Sequence, residues 1–109
     1  MSRARPPVDW ERQTLRSLLF APGNDARRVE KVGQFGSDAI GLDLEDAVAN
    51  TEKIGARAST RAALPTYQGG VVVVRVNGVH TGLLEGDIDA VVCPELDCIM
   101  VPKVESVET

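Results

Sequence analysis

An α/β fold with parallel strands is the architecture this sequence predicts, either an open doubly wound sheet or part of a β/α barrel. Three observations predict it. Strand and helix patterns alternate as β-α-β-α-β-α-β, and no strand has a hairpin partner next to it. The run Val71 to Val76 is continuous and β-branched, as in strands covered on both faces of a parallel sheet. Each strand also ends in polar residues, at the end where parallel α/β folds gather their chemistry.

Residues 1–14 mix Arg, Pro, Asp and Gln without periodicity and read as an arm outside the core, with Trp10 as its anchor. Residues 15–109 read as the N-terminal portion of a single domain. It opens with the apolar run Ser17 to Phe20 and a turn, Ala21 to Asn24, whose Asn24 or Asp25 caps helix one. Val29, Val32 and Phe35 recur at helical spacing beside Arg27, Arg28, Glu30 and Lys31, and Gly36 is the stop. Strand two starts at Ala39-Ile40 and turns acidic at Asp43-Leu44-Glu45-Asp46. Thr51 is the cap expected for helix two, which carries Ile54, Ala58 and Ala62 on one face and stops before Pro65. Strand three ends at Asn77-Gly78, a third helix covers Gly86 to Val92, and Cys98 to Pro102 forms strand four, leading to Lys103.

Composition narrows the function classes. The hydrophobic share of 43% and charged share of 26% are those of an ordinary globular protein, and with only 4% aromatic residues the core must rest on Val, Leu, Ile and Ala. A net charge of -4 argues against a nucleic-acid binder, which needs a basic face. Arg3, Arg5, Arg12 and Arg16 precede no apolar leader segment, and no run reaches membrane-spanning length, so a cytoplasmic location is expected. Cys93 and Cys98 lack the further Cys or His of a zinc set and read as buried or half-buried thiols.

Alternation along strand two places Asp43 and Glu45 on one face and Leu42 and Leu44 on the other, toward the helices. The same parity groups Arg75 with Asn77 at the exit of strand three. A guanidinium there needs an anion. It either pairs with Asp43 or Glu45 or grips a carboxylate of a substrate with its bidentate fork, and the two are compatible. The Pro22-Gly23-Asn24 loop leads into a helix start whose free N–H groups favour anions, near Arg27, Arg28 and Lys31; these cations form either a phosphate site or a solvated face. His80 has no triad partner and reads as incidental, whereas Lys103 is expected to line the site.

Four blocks in order, Arg16 to Asn24, Leu42 to Val48, Arg75-Val76-Asn77 and Val101 to Ser106, closely resemble the citrate lyase beta-subunit-like (HpcH/HpaI aldolase/citrate lyase) family; malyl-CoA and citramalyl-CoA lyases are similar. The resemblance implies the first half of a TIM (β/α)8 barrel and a Mg2+-dependent lyase. Such an enzyme cleaves a citryl, malyl or citramalyl thioester, carried on coenzyme A or an acyl-carrier protein, into a keto-acid and an acyl thioester. By motif, Arg75 grips the carboxylate or enolate oxygen, and Glu45 and Asp46 order metal-bound water and hold Arg75. Phe20 and Lys31 border the coenzyme A site in the same way, beside the Pro22, Gly23 and Asn24 loop that the helix start already offers for its phosphates, and Asn77 and Lys103 are expected at the substrate from their strand-end positions. The family's direct metal ligands are expected beyond Thr109, and Glu105 is not one of them. Full-length relatives suggest a homo-oligomer.

Two rival readings use the same residues: a non-catalytic binding or assembly module of this fold, and a phosphatase-like domain with Asp43 as an aspartyl nucleophile. A complete barrel needs about 250 residues, so the 109 residues are read as an N-terminal portion. Four strands close nothing, and their uncovered inner face and edges invite association. The 109-residue chain expressed alone is therefore expected to self-associate or melt without cooperativity in sedimentation and calorimetry. A monomer with a sharp melt would show that the unit has its own sufficient core.

Overall fold

Short apolar runs become strands here because the sheet has a helix layer to face, and the computed structural model describes this for residues 6–102. The elements are β1 (Leu18–Pro22), α1 (Ala26–Val32), β2 (Ala39–Asp43), α2 (Lys53–Ala63), β3 (Val71–Arg75), α3 (Leu84–Val91) and β4 (Cys98–Met100). Short 3-10 turns lie at Asn50–Glu52, Leu64–Thr66 and Val79–Thr81. The sheet runs β1-β2-β3-β4 with every pair parallel. Its register sets Phe20 beside Gly41 and Val73, and Pro22 beside Asp43 and Arg75.

The two sheet faces differ. Ile40, Leu42, Val72 and Val74 point to one side and share a core with Val29 and Val32 of α1, Ala56 of α2 and Val91 of α3. Ala39, Val71 and Val73 point to the other side, where Val8 of the arm packs against them. A doubly wound sheet carries helices on both faces and reverses its strand order. Here the three helices share one face and the order never reverses, consistent with the opening units of a β/α barrel wall.

Several boundaries differ from the sequence expectation. β1 runs on to Pro22 instead of turning at Ala21, because its ladder to β2 continues to Asp43. α1 ends at Gly33, where a side chain would run into the Tyr67 ring; Phe35 lies beyond the helix and is 64% exposed. The capping expectation holds, with Asp25 the one of the two candidates that caps α1, accepting from the Arg28 backbone N–H at 3.1 Å. Thr51 sits in the 3-10 turn and caps nothing among the described residues. α2 buries Lys53, Ala56 and Thr60, while Ile54, Ala58 and Ala62 face outward. Apolar spacing misidentified that face because Lys53 and Thr60 go inward to satisfy backbone carbonyls. Trp10 is exposed and does not anchor the arm; Val8 does. Arg16 adds a clamp, its backbone N–H donating to Asp38 at 2.7 Å. Cys93 is half-buried as expected, but Cys98 is exposed, since β4 lies at the sheet edge and its inner side is uncovered.

Tyr67 ties the end of the α2 segment to α1, its hydroxyl donating to the Val29 carbonyl at 2.5 Å. Burial pushes its phenol up to about 12. A group whose folded value is raised stabilises the fold at lower pH and loses that contribution as pH rises through it. Alkaline spectrophotometric titration should therefore show a Tyr67 midpoint near 12, with stability falling above pH ~10, the unperturbed tyrosine value. Tyr67→Phe, which removes one buried hydrogen bond, should cost about 1 kcal/mol in chemical denaturation.

Candidate active site

Asp43 ends β2 with its side chain buried, only 1% exposed, and a carboxylate so placed needs a donor for each lone pair it keeps from water. Four arrive. Arg75 donates from Nε to Oδ1 at 2.9 Å and from Nη2 to Oδ2 at 2.6 Å, the bidentate fork. The backbone N–H groups of Glu45 and Ala47 donate at 2.8 and 3.0 Å, so the chain after β2 wraps around the carboxylate. Burial raises the Asp43 pKa, but the Arg75 bond and the two backbone bonds outweigh it and hold the group below the ordinary carboxylate value. The hydrogen bond to Asp43 raises the Arg75 pKa against the effect of its own burial, with further attraction from Glu45 and Asp46.

Arg75 is also stacked. Its guanidinium lies 5.0 Å from the Phe20 ring centroid, within cation–π range. The ring occupies the space beside its register neighbour Gly41, where any Cβ would overlap it. Glycine at that strand position is thus needed for close approach rather than for backbone freedom. The Glu45 carboxylate comes within 3.5 Å of Arg75 Nε, and Asp46 is exposed next to it. The Arg75 side chain stays 26% exposed, so the site keeps a solvent-reachable cation among three acidic residues.

The expected pairing of Arg75 with Asp43 and Glu45 is therefore present, and Phe20, Glu45 and Asp46 gather with it. Asn77 does not face this cluster: it is buried, and its Nδ2 donates to the Leu44 carbonyl at 2.9 Å and to Asp87 at 2.8 Å. The parity argument fails there because β3 ends at Arg75 and the chain turns after it. Gly23 packs the exit of β1 under α2. Its N–H donates to the Asp43 carbonyl at 2.8 Å, its own carbonyl accepts from Ser59 at 2.6 Å, and a Cβ would overlap the Thr60 hydroxyl. Pro22 is half-buried and Asn24 exposed, the latter donating to Glu52 at 2.6 Å. Arg27, Arg28 and Lys31 are exposed on α1, which covers the opposite sheet face from Arg75, and Arg28 pairs with Asp25 at 3.5 Å. His80 is exposed in the 3-10 turn after β3. Lys103 and Glu105 lie outside the described residues.

Lys53, Arg57 and Asp87 were not singled out from the sequence. Lys53 is buried and its ammonium donates to the carbonyls of Leu44 and Glu45 at 3.1 and 2.6 Å. Arg57 and Asp87 join α2 to α3 at 2.8 Å. A basic residue on the first turn of a helix after an acidic strand end was the available signal for Lys53; nothing local marks Asp87.

Among the described residues, no three His, Cys, Asp or Glu side chains are grouped to hold a metal ion, and no helix is long and apolar enough to cross a membrane. Asp43 is unsuited to nucleophilic attack, since both its oxygens are engaged and covered.

Residues 16–109 match the model of the HpcH/HpaI aldolase/citrate lyase family. Among curated relatives, the citrate lyase subunit beta of Leuconostoc mesenteroides subsp. cremoris is 44% identical over 93 residues, 84% of this chain and 31% of the relative. A (3S)-malyl-CoA thioesterase of Cereibacter sphaeroides is 44% identical over 91 residues, 82% of this chain and 32% of that protein. The mitochondrial citramalyl-CoA lyase of Rattus norvegicus is 34% identical over 97 residues, 85% of this chain and 29% of its own length. The chain thus spans about a third of the length of the curated relatives it matches.

The Asp43 cluster has a defined acid response. A carboxyl with a lowered folded pKa contributes stability above its unfolded value, near 3.9, and loses it as pH falls through the folded value. Carbon-detected titration of Asp43 should place its midpoint below about 3.9, and Asp43→Asn should remove part of the acid sensitivity below that pH. A midpoint at or above the unperturbed value would mean that the fork to Arg75 does not persist in solution.

Proposed function

The chain belongs to the HpcH/HpaI aldolase/citrate lyase family, and we propose that the protein carrying it is a Mg2+-dependent carbon–carbon lyase. Its substrate in this reading is a 3-hydroxy acyl thioester, such as a citryl, malyl or citramalyl thioester, cleaved into a keto-acid and an acyl thioester. The supporting observation is Arg75, a half-exposed guanidinium fixed from behind by the buried Asp43 fork and from below by the Phe20 ring. A preorganised cation of this kind stabilises charge as it develops on oxygen without reorganising at the moment of reaction.

The roles follow from position. Arg75 binds the substrate carboxylate or the enolate oxygen. Asp43 sets the plane of the guanidinium and takes no further part, since its acceptors are filled. Glu45 and Asp46 supply negative charge beside Arg75, which balances the site and offers acceptors for ordered water. The described residues do not make a ligand set for Mg2+. In this reading the ion is held by other residues of the protein, where its chemistry is polarisation of the substrate carbonyl. Coenzyme A is the proposed thioester carrier, with Phe20, Pro22 and Asn24 on its approach; the names of the malyl-CoA and citramalyl-CoA relatives support that choice. Gly23 is packed under α2 and Lys31 lies on the far helix face, so neither is retained in this role.

Thioester hydrolysis is the second reading, favoured by the relative named (3S)-malyl-CoA thioesterase. The native protein should release keto-acid from malyl-CoA or citramalyl-CoA with Mg2+ and lose this activity in a chelator. Release of free coenzyme A thiol with intact hydroxy-acid would establish hydrolysis instead. Arg75→Lys, which keeps the charge but not the fork, should lower kcat/KM by about 100-fold or more. Unchanged kinetics in that variant would remove Arg75 from the chemistry.

A further inference from the structure

Asp87 lies on α3, away from the strand-end acids, yet it is fully buried and hydrogen-bonded three times. It accepts from Arg57 Nε at 2.8 Å, from the Asn77 backbone N–H at 2.9 Å and from Asn77 Nδ2 at 2.8 Å. Packing alone does not call for a carboxylate here. Buried ion pairs are often replaceable by apolar groups of similar volume at no cost in stability. What a carboxylate uniquely supplies is acceptors on both sides and no donor. With Arg57 donating on one side, Asn77 must turn its amide nitrogen toward Asp87 on the other. The second amide hydrogen then falls on the Leu44 carbonyl at 2.9 Å.

That carbonyl belongs to the peptide joining Leu44 to Glu45, between the two acids that meet Arg75. It is held from a second direction by Lys53 Nζ, which also reaches the Glu45 carbonyl, and the Leu44 N–H donates to the Arg75 carbonyl at 2.9 Å. We propose that Asp87 is a positioning residue for the candidate active site, acting through the Asn77 amide on the Leu44 carbonyl to set Glu45 and its turn against Arg75. The proposal rests on the lyase or thioesterase reading for its kinetic consequence. Its structural consequence at Arg75 is independent of that reading.

Asp87→Asn keeps the shape but introduces an amide donor, which must oppose either Arg57 or Asn77. In the native protein, two measurements read the result. Hydrogen exchange of the Arg75 Nε–H, followed by 15N NMR, should quicken at least about tenfold, while the alkaline titration of Tyr67 at the other side of the helix layer stays in place. In the kinetic arm, kcat with malyl-CoA and Mg2+ should fall by about 10- to 100-fold with KM little changed, the size expected when reacting groups shift by about 1 Å. Arg75 exchange at the wild-type rate would overturn the proposal. If wild-type protein turns over no thioester, the functional reading fails while the exchange measurement still decides this one. If Asp87→Asn does not fold, Arg57→Gln at the partly exposed end of the pair should speed Arg75 exchange by about twofold or more, and no change there would overturn the proposal equally.

Discussion

A carboxylate buried at the end of a strand is tolerable only if donors reach it from several directions, and the Asp43 side chain imposes that demand on everything around it. Two donors come from Arg75 across the sheet and two from the backbone that follows β2. The chain after β2 must therefore leave the sheet in a tight wrap, and Arg75 must lie flat to offer its fork. A flat guanidinium needs support beneath it, which Phe20 gives, and the Phe20 ring fits only because its neighbour in the sheet is Gly41. One desolvated charge thus fixes a turn, a rotamer, a ring position and a glycine on three adjacent strands.

The distribution of polar groups follows the same logic. The helix-facing side of the sheet is an ordinary dry core of Leu and Val. Lys53, Thr60, Asn77 and Asp87 are among the buried polar groups of the described residues, and each meets backbone carbonyls or a charged partner. They cluster at the strand ends, where backbone leaving a strand has lost its ladder partners and must find others. The polar shell behind the site is the means by which the turns after β2 and β3 are held in one geometry. Buried and hydrogen-bonded from several directions, that shell favours one arrangement of the turns, as an electrostatic site requires.

The strands and their order along the chain were legible, since β-branched runs and strand-end acids announce themselves at short range. That Arg75 could pair with an acid of strand two was also legible, from parity and the need of a strand-end cation for an anion, but not that Asp43 would take the fork. Less legible was the face of α2. Ile54, Ala58 and Ala62 look like the apolar stripe, but the sheet is met by Lys53, Ala56 and Thr60. Asn77 was misplaced for a related reason, because alternation holds only while a strand lasts and β3 stops at Arg75. Asp87 left no local trace at all, as its partners are 10 and 30 residues away in the chain.

The sequence by itself determined the alternation of strands and helices, the parallel sheet, the acidic and basic strand ends and, through four ordered blocks, the family. These are properties of local spacing and of residue type, and no long-range contact is needed to express them. Only the tertiary structure placed the three helices of the described residues on one face of a sheet whose order never reverses, an arrangement consistent with the opening units of a barrel wall. It alone also decided which polar side chains go inward, because a buried donor is satisfied by whichever carbonyl the folded chain brings near, and that distance is not written in the spacing of residues along the chain.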